Sequence, residues 1–235
     1  MKQLRRNRRI RVLTLGLLLT YLFCIPNSVL AQRCVELDLA EIYSGGKLAR
    51  VNRNLSVGQE SANKFLQIEL KLAKGQVPGR DERGIVWLPV EDFTEGTIEL
   101  HARGRDIAQG SFIGVAFHAL NDSTYDNVYA RPFNFIVTDS LSRIHAVQYT
   151  YAPRYEWQKL RAEQNGKYEK GIENAPRPNE WFTMTIEVSR DSVKTYFNYA
   201  SKPSLVVKKL NENTRGKVGL TGINYDIDRM KIYYK

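Results

Sequence analysis

From Phe65 onward the chain alternates apolar and polar residues at a period of two. Leu66, Ile68, Leu70 and Leu72 share one face of a stretch whose other face carries Gln67, Glu69 and Lys71. Residues 97–103 (TIELHAR) and 184–188 (MTIEV) repeat the pattern. Alternation of this kind predicts strands buried on one side. Residues 112–117 (FIGVAF) and 204–207 (SLVV) are apolar on both faces. Further strands are predicted over 126–135, 144–151, 192–199, 216–221 and 228–234. Turn chemistry separates them: Thr94-Glu95-Gly96, Arg103-Gly104-Arg105-Asp106, Asn121-Asp122-Ser123, Arg190-Asp191 and Asn211-Glu212-Asn213. Ten or so short strands at this spacing predict a sandwich or a barrel. Residues 154–174 break the period. They carry Trp157, Leu160 and Arg161 at helical spacing and predict a long excursion with a short helix, a length of loop that usually has a function.

The N-terminus changes the reading of charge. Lys2, Arg5, Arg6, Arg8, Arg9 and Arg11 precede an apolar run over 12–26, and Val29-Leu30-Ala31 offers small residues for cleavage. This predicts a secretory signal over 1–31 and a single mature domain over 32–235, exported to the periplasm or beyond. The run is too short to span a bilayer comfortably, so no transmembrane segment is expected after cleavage, although an uncleaved anchor is the rival reading. The whole chain has 35 Lys and Arg against 25 Asp and Glu; without the six basic residues of the signal the balance is 29 against 25, a net of +4. So small an excess gives no case for nucleic acid. Only Cys34 remains in the mature chain, so no internal disulfide is expected.

Three groups of residues carry candidate chemistry. Glu36-Leu37-Asp38-Leu39-Ala40-Glu41 has the Glu-x-Asp-x-x-Glu spacing of family 16 glycoside hydrolases, in which two carboxylates flank the scissile bond. Its place so close to the mature terminus favours instead a strand with Val35, Leu37 and Leu39 inward and the acids in solvent. Arg131 shares a predicted strand face with Tyr129 and Phe133. A guanidinium among aromatic rings offers forked donors to sugar hydroxyls or a carboxylate, and Gln148 on a neighbouring strand adds an amide. The competing role for Arg131 is to tie down Asp126, Asp139 or backbone carbonyls inside the sandwich. Trp157 and Arg161, on the excursion, would form a rim to this ligand-binding group. His101, His118 and His145 lie on separate strands with no ligand spacing, so no metal cofactor is expected. Residues 121–126 (NDSTYD) hold oxygen ligands suited to calcium, without EF-hand spacing.

Several segments resemble the concanavalin A-like lectin/glucanase superfamily, in particular its bacterial laminin-G-like and 3-keto-disaccharide hydrolase-like domains. They are Phe93 to Glu99, Phe112 to His118, Tyr129 to Phe135, Ala146 to Tyr149, Glu180-Trp181-Phe182 and Gly216 to Leu220. The resemblance implies an all-β fold, a jelly-roll sandwich of two antiparallel sheets. It also implies a site on the concave sheet, and a carbohydrate or glycan as partner. Activity stays open, because such folds host binders and enzymes alike. A glycan-binding domain without catalysis is one reading. A glycoside hydrolase or 3-keto-glycoside-cleaving enzyme, with Glu99 or Glu187 as a catalytic acid in the same site, is the second. A structural envelope-interaction domain is the third.

Overall fold

The computed structural model describes residues 33–71 and 83–234. The signal read over 1–31, and Leu72, lie outside them. In chain order the strands are β1 (Arg33–Asp38), β2 (Arg50–Val51), β3 (Arg53–Glu60), β4 (Asn63–Leu70), β5 (Ile85–Trp87), β6 (Gly96–Gly104), β7 (Phe112–Asn121) and β8 (Thr124–Ala130). They continue as β9 (Val147–Ala152), β10 (Glu169–Lys170), β11 (Phe182–Val188), β12 (Ser192–Phe197), β13 (Leu205–Lys208), β14 (Lys217–Ile223) and β15 (Tyr225–Tyr234). Short helices α1 (Leu39–Ser44), α2 (Ser140–Arg143) and α3 (Trp157–Gln164) and a 3-10 turn over Pro132–Phe135 complete the described residues.

The strands form two antiparallel sheets. The first has the order β13-β12-β11-β6-β15-β4-β3, with β1 also on β15, and the second β10-β9-β8-β7-β14-β5-β2. Strand β15 is long enough to serve three partners. It lies along β6 on one edge, while β4 takes Tyr225–Ile227 and β1 takes Arg229–Tyr234 on the other. The register slips between Ile227 and Arg229, where Asp228 forms a bulge. The period-two pattern sets what each sheet buries. Leu66, Ile68, Ile98, Leu100, Met184, Ile186 and Ile232 of the first sheet pack against Ile113, Val115, Phe117, Val128, Val147 and Leu220 of the second. The fold is therefore the expected all-β two-sheet sandwich.

Two predicted strands are shorter than their pattern. The segment over 126–135 leaves the ladder after Ala130 because Pro132 cannot donate a ladder hydrogen bond, and the chain turns into the 3-10 helix. Residues 144–146 of the predicted 144–151 strand instead form the turn after α2, whose N-cap Asp139 accepts a hydrogen bond from the Ser142 amide at 2.8 Å. The 154–174 excursion contains the predicted helix, as α3, together with the short edge strand β10. No helix among the described residues is long and apolar enough to cross a membrane.

The acidic hexad follows the strand reading as far as Asp38, with Leu37 and Leu39 buried and Glu36, Asp38 and Glu41 exposed, and departs from it only where a helix begins at Leu39. Strand β1 ends at Asp38, whose Oδ1 caps α1 by accepting from the Glu41 amide at 2.9 Å, so Leu39 is buried by a helix and not by a strand. Glu36 pairs with Lys231 at 3.3 Å, and its side chain is 61% exposed. Asp38 thus does a helix cap's work, and Glu36 forms a surface ion pair. Asp38→Ala is expected to cost about 1 kcal/mol in thermal or denaturant unfolding and to leave any glycan binding unchanged.

Candidate functional site

Strand β8 divides its residues between two environments. Val128 and Ala130 enter the core between the sheets, whereas Asn127 and Tyr129 reach the outer face of the second sheet. The strand pairing then lines up one row of residues across that outer face. Thr221 on β14 faces Gly114 on β7, Gly114 faces Tyr129, Tyr129 faces Gln148 on β9, and Gln148 faces Glu169 on β10. Glycine is required in the middle of this row: a Cβ on Gly114 would collide with Thr221 Oγ1 and press on Tyr129 Cβ at 3.1 Å.

Arg131 lies one residue past β8 and keeps extended geometry (φ −115°, ψ 94°), so the fork of its side chain returns to the same row. Its Nη2 donates to Gln148 Oε1 at 2.6 Å and to Tyr129 Oη at 2.8 Å, and its Nη1 donates to the His145 carbonyl at 2.6 Å. Tyr129 Oη donates in turn to Gln148 Oε1 at 2.9 Å. The Arg131 guanidinium also lies 4.6 Å from the Tyr129 ring centre and 5.9 Å from that of Phe112. Two donors on one oxygen fix the Gln148 amide, and its Nε2 is directed away from them. That Nε2 is buried and has no hydrogen-bond partner among the described residues.

A second layer of charge closes the edge. Arg161 on α3 grips Glu169 through Nε at 3.0 Å and Nη2 at 2.9 Å, and its guanidinium lies 4.9 Å from the ring centre of Trp157, which is 41% exposed. His145 Nδ1 lies 2.7 Å from the same carboxylate. Burial pushes the His145 imidazole below its ordinary value despite Glu169. Burial likewise holds the Arg131 guanidinium below its ordinary value and the Tyr129 phenol above. The cluster holds two guanidinium charges against the one Glu169 carboxylate, and Arg131 has no direct carboxylate partner among the described residues.

All five expected ligand-binding residues, Arg131, Tyr129, Gln148, Trp157 and Arg161, therefore meet in one connected cluster. Of the competing partners of Arg131, Asp139 caps α2 and Asp126 is buried between the sheets, bound by Tyr149 and Asn211, whereas the backbone-carbonyl role is met: Arg131 Nη1 donates to the His145 carbonyl at 2.6 Å. Tyr149 and Tyr168 belong to the core. Phe133 sits in the 3-10 turn and not on a strand with Arg131. The sequence reading missed Phe112, His145 and Glu169, the last because a two-residue edge strand has too little pattern to be read.

The two candidate acids lie elsewhere. Glu99 on β6 and Glu187 on β11 are on the first sheet, where Glu99 accepts from Tyr199 at 3.3 Å and Glu187 from Tyr196 at 3.0 Å. They do not share a sheet with Arg131, which corrects their expected place in that site. Strand alternation had told which way each acid points but not which sheet it is in. The calcium-like run over 121–126 forms the β7–β8 hairpin, with Asn121 Oδ1 accepting from the Ser123 amide at 2.9 Å and Asp126 turned into the core. Among the described residues no group of three or more His, Cys, Asp or Glu side chains is placed to hold a metal ion.

The outer face of the first sheet carries a different polar group. Asp226, fully buried, accepts from Arg103 at 2.7 and 3.0 Å and from Arg105 at 2.6 and 2.8 Å, and Arg103 also reaches Glu60 at 2.7 Å. Trp181 lies over this network, stacked on His101 at 5.2 Å, and His101 reaches Asp228 at 2.9 Å. A hollow of about 330 Å³ beside it is lined by Glu36, Asp38, Asn63, Lys64, Asp228 and Arg229. The two arginines and two acids of the network satisfy one another, so its evident role is to hold β6, β15 and β3 in register.

Comparison with known proteins supports the fold. No protein-family profile matches the sequence, and no curated protein does at a significant level. Solved structures do match. A Bacillus subtilis protein of unknown function with a galectin-like fold superposes with a TM-score of 0.51 at 10% identity, covering 86% of this chain and 93% of that one. The exoplasmic/lumenal domain of VIP36, in its Ca2+/Man-bound form, superposes with a TM-score of 0.50 at 12% identity, covering 85% and 89%. The sandwich is thus of the galectin-like and lectin-like type, in keeping with the concanavalin A-like resemblance at the level of fold.

Proposed function

We propose that this chain is an exported glycan-binding domain of the laminin-G-like kind that works without catalysis. A sugar would be held on the outer face of the second sheet, against Arg131, Gln148 and Tyr129, with Trp157 and Arg161 as its rim. The observation that carries this reading is the Gln148 amide. A buried donor left unpaired costs about 1–3 kcal/mol, and such groups in native proteins are rare enough to need a reason. Here the unpaired Nε2 stands beside a guanidinium with three of its five N–H groups engaged. A ligand hydroxyl or carboxylate would satisfy both. The exposed Trp157 ring adds the flat apolar surface that a pyranose face packs against.

The hydrolase reading needs two carboxylates about 5–10 Å apart across a bond. Among the described residues, the carboxylate in contact with the Arg131 cluster is Glu169, held by Arg161. Export rests on the basic and apolar pattern of residues 1–31.

A glycan array probed with protein beginning at Gln32 tests the function. Binding to at least one glycan class is expected, weakened about tenfold or more in Trp157→Ala, with no cleavage products by mass spectrometry. A bound set unaffected by both Trp157→Ala and Gln148→Ala would remove the site, and product formation would restore the enzyme.

A further inference from the structure

We infer that the group recognised at Arg131 and Gln148 is anionic, a carboxylate carried by an acidic sugar of the uronate kind. This rests on the glycan-binding reading of the same site and names the class of its ligand. The geometry supplies three reasons.

The first is the charge balance. Arg131 and Arg161 face one carboxylate, Glu169, and Arg161 engages both of its oxygens. Arg131 is left half-buried, with only neutral acceptors: a backbone carbonyl, a phenol and an amide oxygen. Buried guanidinium groups are ordinarily paired, and the partners of this one among the described residues are all neutral.

The second reason is the donor set. Gln148 Nε2 is unpartnered, and the same amide's oxygen is held by Arg131, so amide and guanidinium are locked together as one rigid unit. Their remaining N–H groups are donors only. A neutral hydroxyl can accept from these donors, but it brings no charge to set against the guanidinium. A carboxylate accepts only, so its demand matches what the unit offers.

The third reason is position. Trp157 and Arg161 stand at the edge of the same cluster. A sugar ring lying against Trp157 can therefore place an acidic substituent toward the paired cations.

Calorimetric titration with trigalacturonic acid, its fully methyl-esterified form and an equally long neutral galactan oligomer tests the inference. The acid is expected to bind at least tenfold more tightly than the other two, a difference of about 1.4 kcal/mol, and its affinity should fall as salt rises. A sulfated galactan oligomer is included to separate a planar carboxylate from a sulfate ester, and equal or tighter binding of the sulfated form would overturn the uronate assignment. The companion variant is Gln148→Glu. Its carboxylate would pair with Arg131 in place and remove the free N–H groups, so the protein should melt at the same temperature or higher while losing acid binding by tenfold or more. Equal affinity for the acid and its ester would overturn the inference and leave a neutral-glycan site standing. Binding of acid that survives Gln148→Glu unchanged would place the anion elsewhere and likewise overturn it. Failure to bind any oligomer of the array or the titration would remove the glycan reading itself.

Discussion

Asp126→Ala is expected to lower the melting temperature by roughly 10 °C, the largest effect of any single change considered. Asp126 is fully buried between the sheets and accepts from Tyr149 Oη and from Asn211 Nδ2, each at 2.5 Å. The Lys209 ammonium lies 3.8 Å from it, with 2% of its side chain exposed. His118 shapes this pocket. Its Nε2 lies 2.5 Å from the Thr94 carbonyl, and its Nδ1 lies 3.1 Å from Lys209 Nζ and 3.3 Å from Asp126 Oδ2. Lys209 also donates to the Asn213 carbonyl. Removing the Asp126 carboxylate leaves that ammonium buried without its counter-charge, a loss of about 3–5 kcal/mol. The total holding a domain together is about 5–15 kcal/mol, and each 1 kcal/mol shifts melting by about 2–4 °C in a domain of this size.

The same cluster predicts a pH signature. Burial pushes Lys209 below its ordinary value of 10.5, while Asp126, Glu212, Asp191 and Glu95 pull it back up. Between the folded-state pKa and 10.5 the unfolded chain binds more protons, so this group makes the fold more stable as pH rises. Without Asp126 the folded-state pKa falls further and the window opens at lower pH. Melting curves from pH 7 to about 9.5 should therefore show a steeper gain with pH in Asp126→Ala than in the parent protein. Pairing Asp126→Ala with Lys209→Met should recover part of the loss, because the stranded charge is gone. A double variant no more stable than the single one would show that the Tyr149 and Asn211 hydrogen bonds, and not the ion pair, carry the effect.

This cluster also shows where sequence reading stops. Period-two alternation places Asp126 on the same face as Val128 and Ala130, which is the buried face. An aspartate beside Asn121-Asp122-Ser123 reads instead as part of a polar turn, because its partners Lys209 and Asn211 come more than eighty residues later. The Glu99 and Glu187 positions fail for a related reason. Their outward direction follows from local alternation, but their sheet is set by pairing of β6 with both β11 and β15, which no local pattern contains. The opposite holds at Asp38-Leu39-Ala40-Glu41. An acid followed three residues later by glutamate, ahead of an apolar run, is a helix-start signal, and the structure uses it as one. Weighing the hexad as a catalytic spacing passed over that simpler meaning. Arg131, Tyr129 and Gln148 were legible together because alternation put two of them on one face and an adjacent strand supplied the third. Glu169 was not, since its place opposite Gln148 depends on the path of the whole excursion.

The Arg131→Ala variant separates a binding arginine from a structural one, and the structure sharpens what each outcome looks like. Arg131 holds the His145 carbonyl, Tyr129 Oη and Gln148 Oε1, so its loss will be felt by the fold. No buried carboxylate is stranded, however, and Tyr129 continues to donate to Gln148 at 2.9 Å. The expected destabilisation is about 1.5–3 kcal/mol, the range for hydrogen bonds to a charged group, and clearly less than for Asp126→Ala. Folded Arg131→Ala should bind an acidic glycan about 10- to 150-fold more weakly than the parent, since the same 1.5–3 kcal/mol is lost again when the ligand arrives. Arg131→Lys tests the geometry behind the charge. An ammonium at that position cannot hold Gln148, Tyr129 and the His145 carbonyl in the fixed fork of a guanidinium, so the Gln148 amide would be free to rotate. The lysine variant should therefore recover thermal stability in part and binding hardly at all. Full binding by folded Arg131→Lys would reduce Arg131 to a source of positive charge, and full binding by folded Arg131→Ala would leave it a strut beneath the second sheet and sink the site.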